Sequence, residues 1–363
     1  MKKKKILYFV EAFGGGVFIY ICNLANALCD EYEVYVAYGI RKQTPSDFKD
    51  HFDNRVHLIQ VKNYQREISI RNDLAALREM KKITKKVQPD VIHLNSSKAG
   101  ILGRWLFRNS KLPVFYTPHG YSFLMTNISK KKKFFYKLLE KAFAFKNIET
   151  IACSKSEYEI TKQLTSNATY VDNGINLKEF DSINMDHQTD FNHLKIATLG
   201  RISLQKNPIM FNQIAEAFPN LEFIWIGDGE LRDKLTAPNI KITGWVDNKT
   251  ALKYLSNADI FILTSLWEGL PMALLEAMYM RKLCIVSNVV GNKDVIYNNK
   301  NGYVCSSVDQ FDEKMNLVIL NKKIPSNLIK MGYENILTHY NSEIMVKGYK
   351  KIYENNKKSN DSH

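Results

Sequence analysis

The chain has 363 residues, 45% of them hydrophobic and 24% charged, which is material for about two packed domains and excludes a disordered chain. No run reaches 18 apolar residues, so no spanning helix is expected. The five cysteines form no C-x-x-C pair and no His/Cys cluster has metal-ligand spacing, which speaks against a disulfide framework or a metal centre.

Lys2 to Lys5 form a solvated basic lead into a buried strand, Ile6–Val10. Its apolar part stops at Glu11, too short for the core of a signal peptide. Gly14-Gly15-Gly16 follow and open a helix over Phe18–Leu28; glycine there permits close backbone approach to a ligand. A dinucleotide site needs G-x-G-x-x-G and an acid ending the second strand. Here Val17, Phe18 and Ile19 follow the glycines, and the second strand ends Val36-Ala37-Tyr38-Gly39, so NAD is not expected. Further strands fall near Glu33–Ala37, Val56–Gln60, Val91–Leu94, Val114–Tyr116, Thr150–Ala152 and Thr169–Val171, with helices over Asp73–Lys86 and Lys98–Arg108 between them. Strand–helix alternation implies parallel sheets covered on both faces.

Ligands of such sheets bind at the carboxyl ends of strands. At those ends stand Asn95-Ser96-Ser97-Lys98 and Thr117-Pro118-His119-Gly120-Tyr121, whereas His93 lies inside a strand and is expected to pack. The net charge of +14 is carried almost wholly by the first half, with 29 Lys+Arg against 16 Asp+Glu through Leu177 and 22 against 21 thereafter. Basic groups occur at Lys81/Lys82/Lys85/Lys86, Arg104/Arg108/Lys111 and Lys130 to Lys133 with Lys137 and Lys141. The asymmetry suggests an anionic surface or substrate. Lysines mixed with Phe134, Phe135, Tyr136 and Phe143 suit a membrane interface, where each basic residue contributes about 1 kcal/mol near anionic lipid. No Arg-rich reading helix or RNP-like strand points to nucleic acid.

A boundary follows Asn173-Gly174, and Asp181 to His193 reads as a polar linker. Alternation restarts with strands near Lys195–Thr198, Leu221–Ile226, Ile240–Thr243, Ile260–Leu263 and Leu283–Val286. Gly200-Arg201-Ile202-Ser203-Leu204-Gln205-Lys206-Asn207-Pro208 follows the first of these; Gly227-Asp228-Gly229-Glu230-Leu231 and Gly244-Trp245-Val246 follow the second and third. After the fourth comes Glu268-Gly269-Leu270-Pro271-Met272-Ala273-Leu274-Leu275-Glu276, with Pro271 suited to a helix's first turn. Free N–H groups at that helix start suit an anion, and carboxylates on either side accept hydrogen bonds from hydroxyls, which suits a nucleotide-sugar. The last helix, about Ser342 to Glu354, puts Ile344, Met345, Tyr349 and Ile352 on one face, and a polar, frayed tail follows from Asn355.

The E-x7-E segment and the Gly-Arg-x(4)-Lys segment resemble, in that order, those of retaining GT-B glycosyltransferases of family 4. The resemblance implies an α/β GT-B fold, two Rossmann-like domains facing across a cleft: residues 1–177 for the acceptor, 178–340 for the nucleotide-sugar, and 341–363 as a terminal helix crossing back plus the tail. It implies transfer of a sugar, with a UDP-sugar favoured, to an acceptor. The basic first domain suggests one on a lipid diphosphate, in bacterial exopolysaccharide or capsule assembly at the cytoplasmic face of the plasma membrane. Negative charge grows on the leaving diphosphate. The chain has no Asp-x-Asp to hold a metal, so Arg201 and Lys206 are expected to neutralise that charge, with no metal and no cofactor. By the same resemblance Glu268 holds donor-sugar hydroxyls, Glu276 the ribose, and His119 the donor sugar. Gly15, Gly16, Gly229, Val246, Gly269, Leu270 and Met272 meet the donor through their backbone, and Ser96, Ser97 and Lys98 meet the acceptor. Val290-Gly291-Asn292-Lys293-Asp294 departs from the family's usual Gly-Gly-x-x-Glu, which leaves that loop without an assigned role. Two alternatives stay open: an epimerase or phosphorylase on the same fold, and a non-catalytic protein binding membrane surfaces.

Overall fold

Two all-parallel sheets organise the protein in the computed structural model, which describes residues 3–65 and 67–355. Lys2 and the tail beyond Asn355 lie outside the described residues. The first unit holds the chain up to Leu124, Ile128–Asn173, and the chain from Ser342 on; the second holds Gly174–Asn341, with Met125–Asn127 grouped with it. The chain thus passes between units at Asn173/Gly174 and Asn341/Ser342, a few residues from the 177/178 and 340/341 boundaries expected from sequence.

In the first unit the elements run β1 (Lys4–Val10), α1 (Gly15–Leu28), β2 (Tyr32–Tyr38), β3 (His57–Gln60), α2 (Ile70–Val87), β4 (Val91–Asn95), α3 (Ser97–Phe107), β5 (Val114–Thr117), α4 (Lys130–Ala142), β6 (Ile148–Ala152), α5 (Lys155–Thr161) and β7 (Ala168–Tyr170). The sheet order is β3-β2-β1-β4-β5-β6-β7. Ile6–Val10 is wholly buried because β1 is central and covered on both faces. Its alternate side chains separate accordingly: Ile6, Tyr8 and Val10 enter one apolar layer, Leu7 and Phe9 the other. Serines at positions 69, 129 and 154 cap α2, α4 and α5, each accepting a hydrogen bond from a first-turn N–H.

The second unit continues with β8 (Lys195–Leu199), α6 (Pro208–Ala217), β9 (Glu222–Ile226), β10 (Ile240–Ile242), α7 (Asn248–Ser256), β11 (Ile260–Leu263), α8 (Met272–Tyr279), β12 (Leu283–Ser287), α9 (Asn292–Val295), β13 (Tyr303–Cys305), α10 (Val308–Asn321) and α11 (Ser326–His339), and its sheet order is β10-β9-β8-β11-β12-β13. The three-residue β13 is too short to show a period in sequence. Pro271 is extended (φ −77°, ψ 118°) and stands just before α8 rather than in its first turn.

Helix α12 (Ser342–Asn355) returns to the first unit. Met345, Val346, Tyr349 and Tyr353 are buried in the layer behind β1, while Ile344 is 41% exposed. Of the four residues expected on the packed face, Met345 and Tyr349 are buried and Ile352 packs partly buried against the same layer; Ile344 turns outward, and Val346 and Tyr353 join the face. On this face the Tyr353 hydroxyl lies 2.7 Å from His93 Nδ1 and 3.2 Å from the Tyr8 hydroxyl.

Candidate functional site

Each sheet reverses its strand order once, β1 against β4 in the first unit and β8 against β11 in the second. At such a point the loops leaving two adjacent strands part in opposite directions and leave room for a ligand at the carboxyl ends.

In the second unit, the segments after β8 and β11 are tied together. Leu266 N–H donates to the Gln205 carbonyl at 2.8 Å, and Thr264 Oγ1 to the Lys206 carbonyl at 2.8 Å. Lys206 Nζ lies 2.7 Å from Glu268 Oε1, which also accepts from Ser265 Oγ at 2.6 Å; Gln205 Nε2 donates to Glu268 Oε2 at 3.2 Å. Glu268 is buried, and three donors together hold its charge in place. Glu276, on the second turn of α8, is also buried. Burial pushes its carboxyl up to about 8; Glu179 adds to the rise and Lys206 opposes it. Leu270 and Met272 turn their side chains inward, so they offer only backbone to a ligand. The Met272 and Ala273 N–H groups have no acceptor within the helix.

Arg201 stands apart from this cluster. Its guanidinium pairs with Glu230 Oε2 at 2.8 Å, both side chains being substantially exposed. Gly229 is fixed by packing: a Cβ there would come within 2.1 Å of the Ile202 carbonyl oxygen. Val246 is half-buried beside the exposed Trp245. The 290–294 loop, unassigned from sequence, braces the Glu268 loop. Gly291 has φ +84°, and a Cβ on it would lie 2.5 Å from the Gly269 carbonyl oxygen. Asn292 Nδ2 bonds Ser287 O at 3.0 Å, and Ser287 Oγ reaches Ser265 O at 2.5 Å.

In the first unit, the loops after β1, β4 and β5 converge. Ser96 N–H donates to Thr117 O at 3.0 Å, and Ser96 Oγ accepts from Ala12 N at 3.3 Å. Ser96 (φ 73°) and His119 (φ 54°) both hold left-handed backbone, a conformation that costs a non-glycine residue energy and clusters at functional sites. His119 Nε2 lies 2.9 Å from Asn95 Oδ1, and its ring packs edge-on against Tyr20 with centroids 4.5 Å apart. Burial pushes its imidazole down to about 3, so it is neutral at physiological pH. Gly15 and Gly16 are exposed, with open space around Gly15. Ser97 Oγ meets Ser122 Oγ at 3.2 Å.

Lys98 does not offer a free ammonium: it pairs with Asp73 at 2.7 Å and donates to the carbonyls of Gln65 and Glu67. Arg104, grouped by sequence with the basic surface, is also turned inward. It is 2% exposed, pairs with Glu140 at 2.6 Å, and lies over the Tyr116 ring. That buried pair anchors α4 from within and leaves Phe134, Phe135 and Leu138 at least half exposed among Lys130, Lys131, Lys137 and Lys141. No helix among the described residues is long and apolar enough to cross a membrane.

Four participants escaped the sequence reading. Gln205 and Ser265 bond Glu268, and Glu230 pairs with Arg201. Glu157 is fully buried on α5 and takes the N–H groups of Gly120 (2.7 Å) and Cys153 (2.8 Å), which pins the His119 loop. Gln205 and Glu230 lie inside loop segments that the sequence already singles out; nothing in sequence marked Ser265 or Glu157.

Residues 14–179 match the model for Glycosyltransferase Family 4, and residues 181–335 the model for Glycosyl transferases group 1. An Escherichia coli UDP-Gal:alpha-D-GlcNAc-diphosphoundecaprenol alpha-1,3-galactosyltransferase is 31% identical over 337 residues, covering 84% of this chain and 85% of its own. The chain belongs to glycosyltransferase family 4, group 1. This glycosyltransferase is also 32% identical over 164 residues to a Campylobacter jejuni alpha-1,4-N-acetyl-D-galactosaminyltransferase named for a PP-undecaprenol-linked glycan, across 41% of this chain and 45% of that one. Its fold is GT-B. Sucrose-phosphate synthase from Thermosynechococcus elongatus superposes with TM-score 0.85 at 17% identity, covering 98% of this chain and all of that one. An Anabaena protein solved with UDP-glucose superposes with TM-score 0.77 at 15% identity, covering 97% and 99%.

Proposed function

We propose that this glycosyltransferase moves a sugar, with retention of anomeric configuration, from a UDP-sugar to a lipid-diphosphate-linked acceptor in bacterial exopolysaccharide or capsule assembly. The observation that carries the reading is the Lys206–Glu268 pair, held by Gln205 and Ser265 at the strand reversal of the second sheet. A cation and an acid fixed side by side suit a ligand with phosphate next to hydroxyls. The bond from the anomeric carbon to the diphosphate oxygen lengthens first, and the sugar becomes oxocarbenium-like. Lys206, with Arg201 once Glu230 releases it, neutralises the charge that grows on the departing phosphate. The acceptor hydroxyl attacks from the face the diphosphate leaves, and its proton passes to the leaving phosphate oxygen. No protein nucleophile and no metal takes part.

Glu268 holds donor-sugar hydroxyls, Glu276 the ribose hydroxyls, and His119 a sugar hydroxyl. Backbone at Gly15, Gly16, Gly229, Val246, Gly269, Leu270 and Met272 completes the donor contacts, and Ser96 and Ser97 meet the acceptor. The names of the Escherichia coli and Campylobacter jejuni relatives, both with diphosphoundecaprenol-type substrates, support the acceptor class. Exposed phenylalanines among lysines on α4 support docking on the anionic inner leaflet of the plasma membrane, where such an acceptor is embedded.

The test is transfer from labelled UDP-galactose, UDP-glucose and UDP-N-acetylglucosamine to an undecaprenyl-diphosphate-linked sugar, with Lys206→Ala and Glu268→Gln as controls. Equal turnover in wild type and both variants would reject the site, and consumption of donor without an acceptor would favour the epimerase or phosphorylase. Flotation with phosphatidylglycerol-containing vesicles tests α4: Phe134→Ser/Leu138→Ser should stay with the soluble fraction, and unchanged flotation removes the membrane assignment.

A further inference from the structure

A neutral histidine meets its ligand either as a donor or as an acceptor, and the tautomer decides which. For His119 the decision can be traced through fixed neighbours. Asn95 ends β4 and is fully buried. One end of its amide lies 3.2 Å from the His93 carbonyl oxygen. A carbonyl oxygen only accepts, so that end is the Nδ2 group. The other end, Oδ1, faces His119 Nε2 at 2.9 Å. An amide oxygen also only accepts, so Nε2 must carry the hydrogen. In a neutral ring Nδ1 then holds a lone pair, and among the described residues nothing donates to it. The surroundings keep the ring neutral. His93 on β4 is itself held neutral by burial, Tyr20 on α1 packs against the ring, and Tyr349 on α12 stands behind Tyr20. The nearest carboxylate on this loop, Glu157 of α5, is spent on the backbone N–H groups of Gly120 and Cys153.

We infer that Asn95 is a positioning residue that locks His119 as the Nε2–H tautomer, so that Nδ1 receives a hydrogen bond from a substrate hydroxyl and turns away phosphate or carboxylate oxygens. Assignment of that hydroxyl to a sugar rests on the function proposed above; the tautomer does not.

Long-range proton–nitrogen NMR on the full-length protein with labelled histidine reads the tautomer directly, and His119→Gln identifies the signal. A protonated Nε2 beside an unprotonated Nδ1 at pH 7.5 is expected; a hydrogen on Nδ1, or on both nitrogens, overturns the inference whatever the transfer assay shows. Asn95→Asp places a carboxylate on Nε2 and favours imidazolium, whose Nδ1 can no longer accept. KM for the UDP-sugar should then rise roughly tenfold as pH falls from 8 to 5.5, the size of one lost hydrogen bond, with no such limb in wild type. Asn95→Leu removes the oxygen: KM should rise about as much at every pH, with mixed tautomers by NMR. If either variant keeps the wild-type tautomer and pH profile, Asn95 has no positioning role. Absence of transfer by the wild type, with the tautomer as inferred, would instead reject the proposed function.

Discussion

The two strand reversals solve one positioning problem with opposite chemistry. In the second unit the loops are joined by charge: Lys206 to Glu268 and Arg201 to Glu230. In the first they are joined by neutral groups and tense backbone, with His93, Thr117, Tyr353 and Asn95 bonded in a buried chain and Ser96 and His119 held at positive φ. Under the proposed function, the charges of the second unit would neutralise the departing diphosphate and the neutral groups of the first would orient a hydroxyl. The contrast separates what stabilises charge from what gives shape.

Removing a charge in the second unit should break the contrast most sharply. Lys206→Ala strips a cation from the leaving group and leaves Glu268 buried with only neutral donors; transfer is expected to fall on the order of 10²–10³-fold in kcat/KM. The first unit has charged pairs too, Lys98–Asp73, Arg41–Glu11 and, most deeply buried, Arg104–Glu140. Glu140→Gln should destabilise it by about 3–5 kcal/mol in denaturant unfolding, and the double change Arg104→Met/Glu140→Leu should recover most of that loss.

Acidity should move the units in opposite directions. His119 and His93 refuse protons that the unfolded chain accepts below about pH 6.5, so the first unit loses stability as pH falls toward 3. Glu276 keeps a proton to about 8 that the unfolded chain releases near 4.5, so the second unit loses stability as pH rises through that window. Glu276→Gln should therefore gain on wild type by a few kcal/mol between pH 5 and 9, read by thermal unfolding; a constant difference would place Glu276 in solvent. Gly291→Ala forces a Cβ against the Gly269 carbonyl and should cost about 1–3 kcal/mol while displacing Glu268. Arg201→Ala sharpens the comparison from the small end: its exposed pair with Glu230 should be worth under about 1 kcal/mol of stability, while affinity for UDP drops measurably by calorimetry.

The second unit was the more legible one, for a physical reason. Its ligand loops are short, and their glycines, Arg201, Lys206 and Glu268 follow strands directly, so spacing alone brings them near strand ends. All seven strands of the first sheet and five of the second's six were also visible in the sequence; the central ones stand out as apolar runs because they are buried on both faces, whereas the edge strands β3, β7 and β10 are only partly covered. What stayed hidden depends on partners far apart in sequence. Nothing near Lys98 announces Asp73 or the Gln65 and Glu67 carbonyls, and nothing near Arg104 announces Glu140. Glu157 looks like any helix acid until the fold brings Gly120 to it. On α12 the expected face holds at Met345, Tyr349 and Ile352; Tyr353, whose hydroxyl meets His93 and Tyr8, joins it and Ile344 does not.

That last helix has a consequence for synthesis. The imidazole of His93 finds a hydrogen-bond partner 260 positions later in Tyr353, so a ribosome must make the whole second unit before the first can close around its own centre. Until then the nascent protein carries an apolar furrow behind β1 where Met345, Tyr349 and Tyr353 will lodge. Chains stalled or clipped before Ser342 should emerge as clients for chaperones rather than as half of a working enzyme.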